Sequence, residues 1–193
     1  MNIMFLFWRM LQMYGRQNCQ LQRNFFPTCF PMYVMATALS DDSRSYEDIK
    51  NEYFSSAFGS YGDEIYDILS DVSSWKIYDY MRGNIATNSP EIHVAAGEIK
   101  LKTKAHSDRI AEIEKENNAP IVMRHLALVE KLFGMLSLIA EIIEEKTGNN
   151  DQSKIDLTLR RIHVNIFEFE PFCAQRFNGG FFYTHIEEMA HRK

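Results

Sequence analysis

The sequence predicts an all-α protein, a bundle-like array of five or six helices. Three observations carry this. Apolar residues recur at i, i+3 or i, i+4 through most of the chain beyond residue 45. Cap and stop residues bracket those stretches: Ser45, Ser89-Pro90-Glu91 and Pro120 at the starts, Gly59, Gly83 and Gly148-Asn149-Asn150 at the ends. And nothing beyond residue 45 alternates with the period of two that a half-buried strand requires.

Taken in order, Ser45 caps a first helix with Glu47 and Asp48 in its opening turn, where carboxylates favour the positive end of the helix dipole. Its apolar positions are Ile49, Tyr53, Phe54, Ala57 and Phe58, and Gly59 supplies a left-handed stop. A second helix is predicted from about Asp63 to Arg82, with the stripe Ile65, Ile68, Leu69, Val72, Trp75, Tyr78 and Met81, ended by Gly83. Pro90 is a first-turn proline behind Ser89. The third helix that follows carries Ile92, Ala96, Ile99, Ile110 and Ile113 among many charges, so it should be long and narrowly apolar. The fourth, opened by Pro120, is the most hydrophobic: Leu126, Val129, Leu132, Phe133, Leu136, Ile139, Ala140 and Ile143 form a broad stripe fit for a central core helix. The fifth carries Ile155, Leu159, Ile162, Ile166 and Phe169 and meets Pro171, which ends or kinks a helix. A loop with Gly179-Gly180 leads to a short last helix from about Phe182.

At 193 residues the chain is one domain, or slightly more, at about 150 residues per domain. With 46% hydrophobic and 24% charged residues it can bury a sizeable core, which excludes disordered, collagenous and disulfide-scaffold classes. Charge divides the chain: residues 1–40 carry three Arg and no Asp, Glu or Lys, whereas the whole has a net charge of −5. That balance argues against nucleic acid as a partner, since neutralising phosphates needs a basic surface. Six of the ten Met also fall in the first 40 residues, and a boundary is expected near Ser40 to Ser45. The expected organisation is an N-terminal lead (1–19), a short apolar segment (20–44) and a helical domain (45–193).

Cys19, Cys29 and Cys173 are odd in number and far apart, which fits neither a disulfide framework nor a zinc ribbon. No transmembrane segment is expected. The best candidate, Ile121 to Ile143, contains Arg124, His125, Glu130, Lys131 and Glu141. Phe25 to Met35, behind Arg9, Arg16 and Arg23 and before Ala36-Thr37-Ala38, has the outline of a signal peptide, but Pro27 and Pro31 interrupt its apolar core.

Residues that could carry chemistry are scattered. His185 and His191 are six apart, which places them on different sides of a helix, whereas a shared metal needs a spacing of three or four. Arg176 with His185 is reminiscent of the Arg-to-His pair of helical ribonucleases, but eight residues intervene. Arg160, Arg161 and His163 form a local cluster that reads as a solvated face. Phe177, Phe181, Phe182 and Tyr183 around Gly179-Gly180 are dense enough to stack on a sugar or base, and equally suited to packing. Glu144 with Glu145, and Glu187 with Glu188, are adjacent, so on a helix they diverge by about 100° and make no facing acid–base pair. No catalytic residue, metal ligand or cofactor is assigned, and substrate-binding residues are unknown.

The run Gln22-Arg23-Asn24-Phe25-Phe26-Pro27-Thr28-Cys29-Phe30-Pro31-Met32-Tyr33-Val34-Met35-Ala36 resembles a recurrent segment of an uncharacterised bacterial family of predicted glycoside hydrolases, labelled as a domain of unknown function and distantly similar to α-glucuronidases and related (β/α)8-barrel enzymes. So do Ser43-Arg44-Ser45-Tyr46-Glu47-Asp48-Ile49, Glu52-Tyr53-Phe54 and Ala57-Phe58-Gly59. The likeness is densest over residues 20–60. It departs at Cys29, where the family pattern has glycine, and at Leu39-Ser40-Asp41, where it has Leu-Trp-Asp.

The resemblance implies that a helical piece near Phe26 to Leu39 is the last element of an absent barrel and that a helical region follows it. Glycoside hydrolysis needs paired carboxyl groups, and residues 1–40 contain none. The implied role is therefore a non-catalytic C-terminal helical region of a carbohydrate-active protein, supporting a barrel missing from this chain. The alternative is a standalone helical interaction protein. On either reading residues 20–40 should meet the missing barrel or self-associate.

Overall fold

The computed structural model describes residues 27–173 and 178–192. Its helices are α1 (Phe30–Ser40), α2 (Tyr46–Phe58), α3 (Gly62–Ser73), α4 (Ile77–Met81), α5 (Pro90–Glu116), α6 (Pro120–Thr147), α7 (Gln152–Cys173) and α8 (Gly179–His191), with a 3-10 turn at Gly59–Tyr61. No strand occurs among the described residues. The fold is all-α, and each of the six helices expected beyond residue 45 is found, the second of them broken in two.

That break is the main correction to the expected elements. Asp63 to Arg82 is not one helix, because α3 stops at Ser73 and α4 starts at Ile77. The Ser73 and Ser74 hydroxyls donate to the Ser70 and Asp71 carbonyls at 2.6 and 2.7 Å, offering the backbone local partners that compete with the helix ladder. After the break Ile77, Tyr80 and Met81 are buried and Tyr78 is half-buried, its phenol pushed up by burial.

Two smaller boundaries also move. Helix α7 runs past Pro171 to Cys173, since a proline in the final turn removes one hydrogen bond from an end that frays anyway. Helix α8 begins at Gly179 rather than Phe182, because the Asn178 side chain caps it by accepting from the Phe181 amide at 3.1 Å.

Contacts within the chain gather into two units. The first holds the described residues up to Ser74 together with Asp108–Lys131. Phe30, Ile49, Phe54, Phe58, Ile65, Ile110, Ile113 and Leu126 are almost wholly buried there. Gly62 sits where α3 turns against α2: a Cβ on it would lie 2.8–2.9 Å from the Phe54 and Ser55 backbone, so only glycine fits.

The second unit comprises Trp75–Ser107 and Leu132 onward. Its part of α6 is buried around most of its circumference, at Phe133, Met135, Leu136, Leu138, Ile139, Ile142 and Ile143, as a helix apolar on all sides must be. Ile92, Ala96 and Ile99 of α5, Ile155, Leu159, Ile162, Ile166 and Phe169 of α7, and Ile186 and Met189 of α8 are buried in the same unit. Helix α6 ends where Asn150 takes the left-handed conformation (φ 53°), with its amide on the Glu145 carbonyl.

Candidate functional site

Helix α1 follows from its composition. Pro31 stands in the first turn, where a missing amide costs nothing, and no carboxylate, histidine or basic residue occurs along the eleven residues. One face is pinned. The Phe30 ring lies 5.0–6.5 Å from the rings of Tyr46, Tyr53, Phe54 and Tyr66, mostly edge to face, which suits the ring quadrupoles. The Cys29 amide donates to the Tyr53 hydroxyl at 2.9 Å, and Tyr33 donates to Glu52 at 2.7 Å. Glu52 also pairs with Arg44. The Tyr33 hydroxyl and the Arg44 guanidinium hold the Glu52 carboxyl below the usual carboxylate range.

The other face is open. Met35 is 51% and Leu39 83% exposed, and Ala36 and Ala38 are exposed between them. That face carries no charged side chain. It can bury apolar surface against a partner.

Beneath α1 lies a polar group that the sequence did not single out. The Tyr46 and Tyr66 hydroxyls are 3.3 Å apart, and the Lys50 ammonium stands 4.9 Å from the Tyr66 ring centre, a cation–π distance. Burial, then the hydrogen bond with Tyr66, pushes the Tyr46 phenol far up. The Tyr46 hydroxyl stays protonated at neutral pH, and the two rings serve as packing with a polar tip.

The residues predicted from the sequence are held apart. His185 faces Glu188 (3.4 Å) and the Phe181 ring (4.6 Å), whereas His191 faces Gln152 of α7 (3.3 Å). His163 lies 4.9 Å from the rings of both Phe167 and Tyr183. The expected aromatic group therefore divides, Phe181 toward His185 and Tyr183 toward His163. Arg161 pairs with Glu141 at 3.0 Å, and Arg160 projects from the same exposed face of α7. Glu144 turns to Lys100 and Glu145 to Lys154, as adjacent helix positions must diverge. Arg176, Phe177, Cys19, the first 26 residues and the Cys173 side chain lie outside what is described. No group of three or more His, Cys, Asp or Glu placed to hold a metal occurs among the described residues, and none of their helices is long and apolar enough to cross a membrane.

Sequence reasoning missed a pair of cations in the second unit. Arg192 donates to the Tyr80 and Met81 carbonyls at 2.8 and 2.6 Å, satisfying the end of α4. Lys146 donates to the Ala190 and Arg192 carbonyls, both at 2.7 Å, satisfying the end of α8. Burial, with Arg192 nearby, draws the Lys146 ammonium below its ordinary pKa. More than 100 residues separate Arg192 from Tyr80, and no local pattern could reveal such a contact.

No protein-family model matches the chain, and no curated protein or solved structure matches it.

Proposed function

We propose that this chain is a non-catalytic helical docking module, with the outer face of α1 as its contact surface. The observation that carries this is the two-sided apolar character of α1: one face is anchored by Phe30, and the other presents Met35 and Leu39 to solvent. A helix without charge on either side belongs inside an interface. The sequence resemblance over residues 20–60 names the partner, a (β/α)8 barrel of glycoside-hydrolase type, which this region would support from outside its substrate pocket. A second reading, a standalone helical interaction protein, draws on exposed apolar residues elsewhere, Val94 and Leu101 of α5 and Leu157 and Val164 of α7.

The test begins with the DNA upstream of the Met1 codon. An open frame encoding alternating strands and helices with paired carboxylates supports the barrel reading. That product, co-expressed with this chain, should then co-purify with it, and Met35→Glu with Leu39→Glu should abolish the association. A stop codon directly upstream, or co-purification indifferent to the double substitution, removes the barrel as partner.

A further inference from the structure

Helix α7 buries Ile155, Leu159, Ile162, Ile166 and Phe169 on one face. With about 100° per residue, the opposite face is Leu157, Arg160, Arg161, Val164, Phe167 and Glu168, and every one of these is exposed. Leu157, Val164 and Phe167 are 60%, 54% and 64% exposed, so three large apolar side chains share one solvent-facing helix side. Arg161 is already held by Glu141. Arg160 and Glu168 have no hydrogen-bond or ion-pair partner among the described residues.

The order of these groups is self-complementary. Arg160 stands four residues before Val164 and Glu168 four residues after it, each about 6 Å along the axis. A twofold axis through Val164 would lay α7 of a second copy antiparallel on the first. Val164 then meets the second copy's Val164, and Arg160 meets its Glu168 at both ends of the seam. Arg161 lies across from Phe167, a cation over an aromatic face. Leu157 lies across from Pro171, which is exposed on the same face. Parallel pairing would put Arg160 against Arg160, and an unrelated partner would have no need of opposite charges at equal distances about an apolar centre.

We propose that the outer face of α7 is an isologous interface between two copies of this chain, paired antiparallel about Val164. It is separate from the α1 surface and does not depend on it. One helix–helix seam is at the small end of specific interfaces, so the association is concentration-dependent.

The experiment is sedimentation equilibrium of the full chain from about 1 to about 200 µM, a range suited to a small interface. The expected result is a monomer–dimer equilibrium. Arg160→Glu sets like charges together at both ends and should weaken it by about tenfold or more. Arg160→Glu with Glu168→Arg exchanges the charges and should restore the dissociation constant to within about threefold, because the pair couples only across the seam. Val164→Asp, on the axis, should abolish dimers, and Leu39→Glu on α1 should leave them intact. A monomer throughout the range overturns the proposal. So does a dimer indifferent to Arg160→Glu or Val164→Asp, one that the charge exchange fails to restore, or one that Leu39→Glu dissolves.

Discussion

Arg109 grips Glu64 with two parallel hydrogen bonds, Nε to Oε1 at 2.6 Å and Nη2 to Oε2 at 3.0 Å, and so fastens α5 to α3 within the first unit. Fork-to-carboxylate geometry is the strongest form of ion pair. Both side chains are more than a third exposed, so solvent screening limits its worth. Arg109→Lys keeps the charge but not the fork and should lose part of that in urea unfolding. The hydrogen bond from Arg109 holds Glu64 below its ordinary pKa. A depressed carboxylate contributes stability above its unfolded value, about 4.3, and loses it as pH falls through the folded value. Glu64→Gln should therefore lower the urea midpoint more at pH 7 than at pH 2–3. Equal effects at both pH values would show that the charge plays no part.

Gly83 and Arg192 should fail together. Gly83 has φ +80°, and a Cβ on it would lie 3.1 Å from Arg192 Nη1. Gly83→Ala meets backbone strain and displaces the guanidinium that satisfies the Tyr80 and Met81 carbonyls. The expected cost is about 1–3 kcal/mol. Arg192→Ala removes the same two hydrogen bonds from the other side. The double variant should therefore lose less than the two single variants combined, by about 0.5 kcal/mol or more, because they disable one contact. Strict additivity in thermal unfolding would mean that Gly83 acts through its backbone alone.

Ser45 is the clearest helix start in the chain. Its hydroxyl accepts from the Asp48 amide at 3.1 Å and donates to the Asp48 carboxylate at 2.6 Å. Ser45→Ala should cost about 1 kcal/mol, and Ser45→Asp, which can still accept from the amide, distinctly less. Urea unfolding ranks the two, and a reversed order would mean that Asp48 repels a second carboxylate more than the cap helps.

What was legible in the residues was local. Ser45, Pro90 and Pro120 mark helix starts because each acts on its own first turn, and Ile92 through Ile113 reveal a buried face because the helix period repeats along one element. The Ser73-Ser74 break was hidden because Trp75 and Met81 keep an apolar rhythm across it while the serine hydroxyls rebond the backbone beneath. The inner face of α1 was half legible: its lack of charge is plain in the sequence, but Phe30 meets four aromatic rings that only the folded chain assembles. Arg109 with Glu64, and Arg192 with Tyr80, were not legible at all, because partners 45 and 112 residues apart share no periodicity. Arg160, Arg161 and His163 read as a solvated face in the sequence, and burial then showed that Leu157, Val164 and Phe167 are exposed on the same helix.

The two faces of α1 give the sharpest contrast between stability and interaction. Phe30 is fully buried and ringed by aromatic side chains, so Phe30→Ala removes a large packed volume that the rigid rings around it cannot refill. The cost should be about 3–5 kcal/mol, and amide hydrogen exchange across residues 30–40 should speed up as the helix loses its anchor. Leu39, on the same helix, is 83% exposed. Leu39→Glu should change stability by no more than about 0.5 kcal/mol, since an exposed side chain has little packing to lose. The substitution that leaves the fold intact is the one that should remove a docked partner, and binding of a hydrophobic dye should fall with it. If Leu39→Glu instead destabilises the chain as much as Phe30→Ala, the outer face of α1 is part of the core and not a surface for docking.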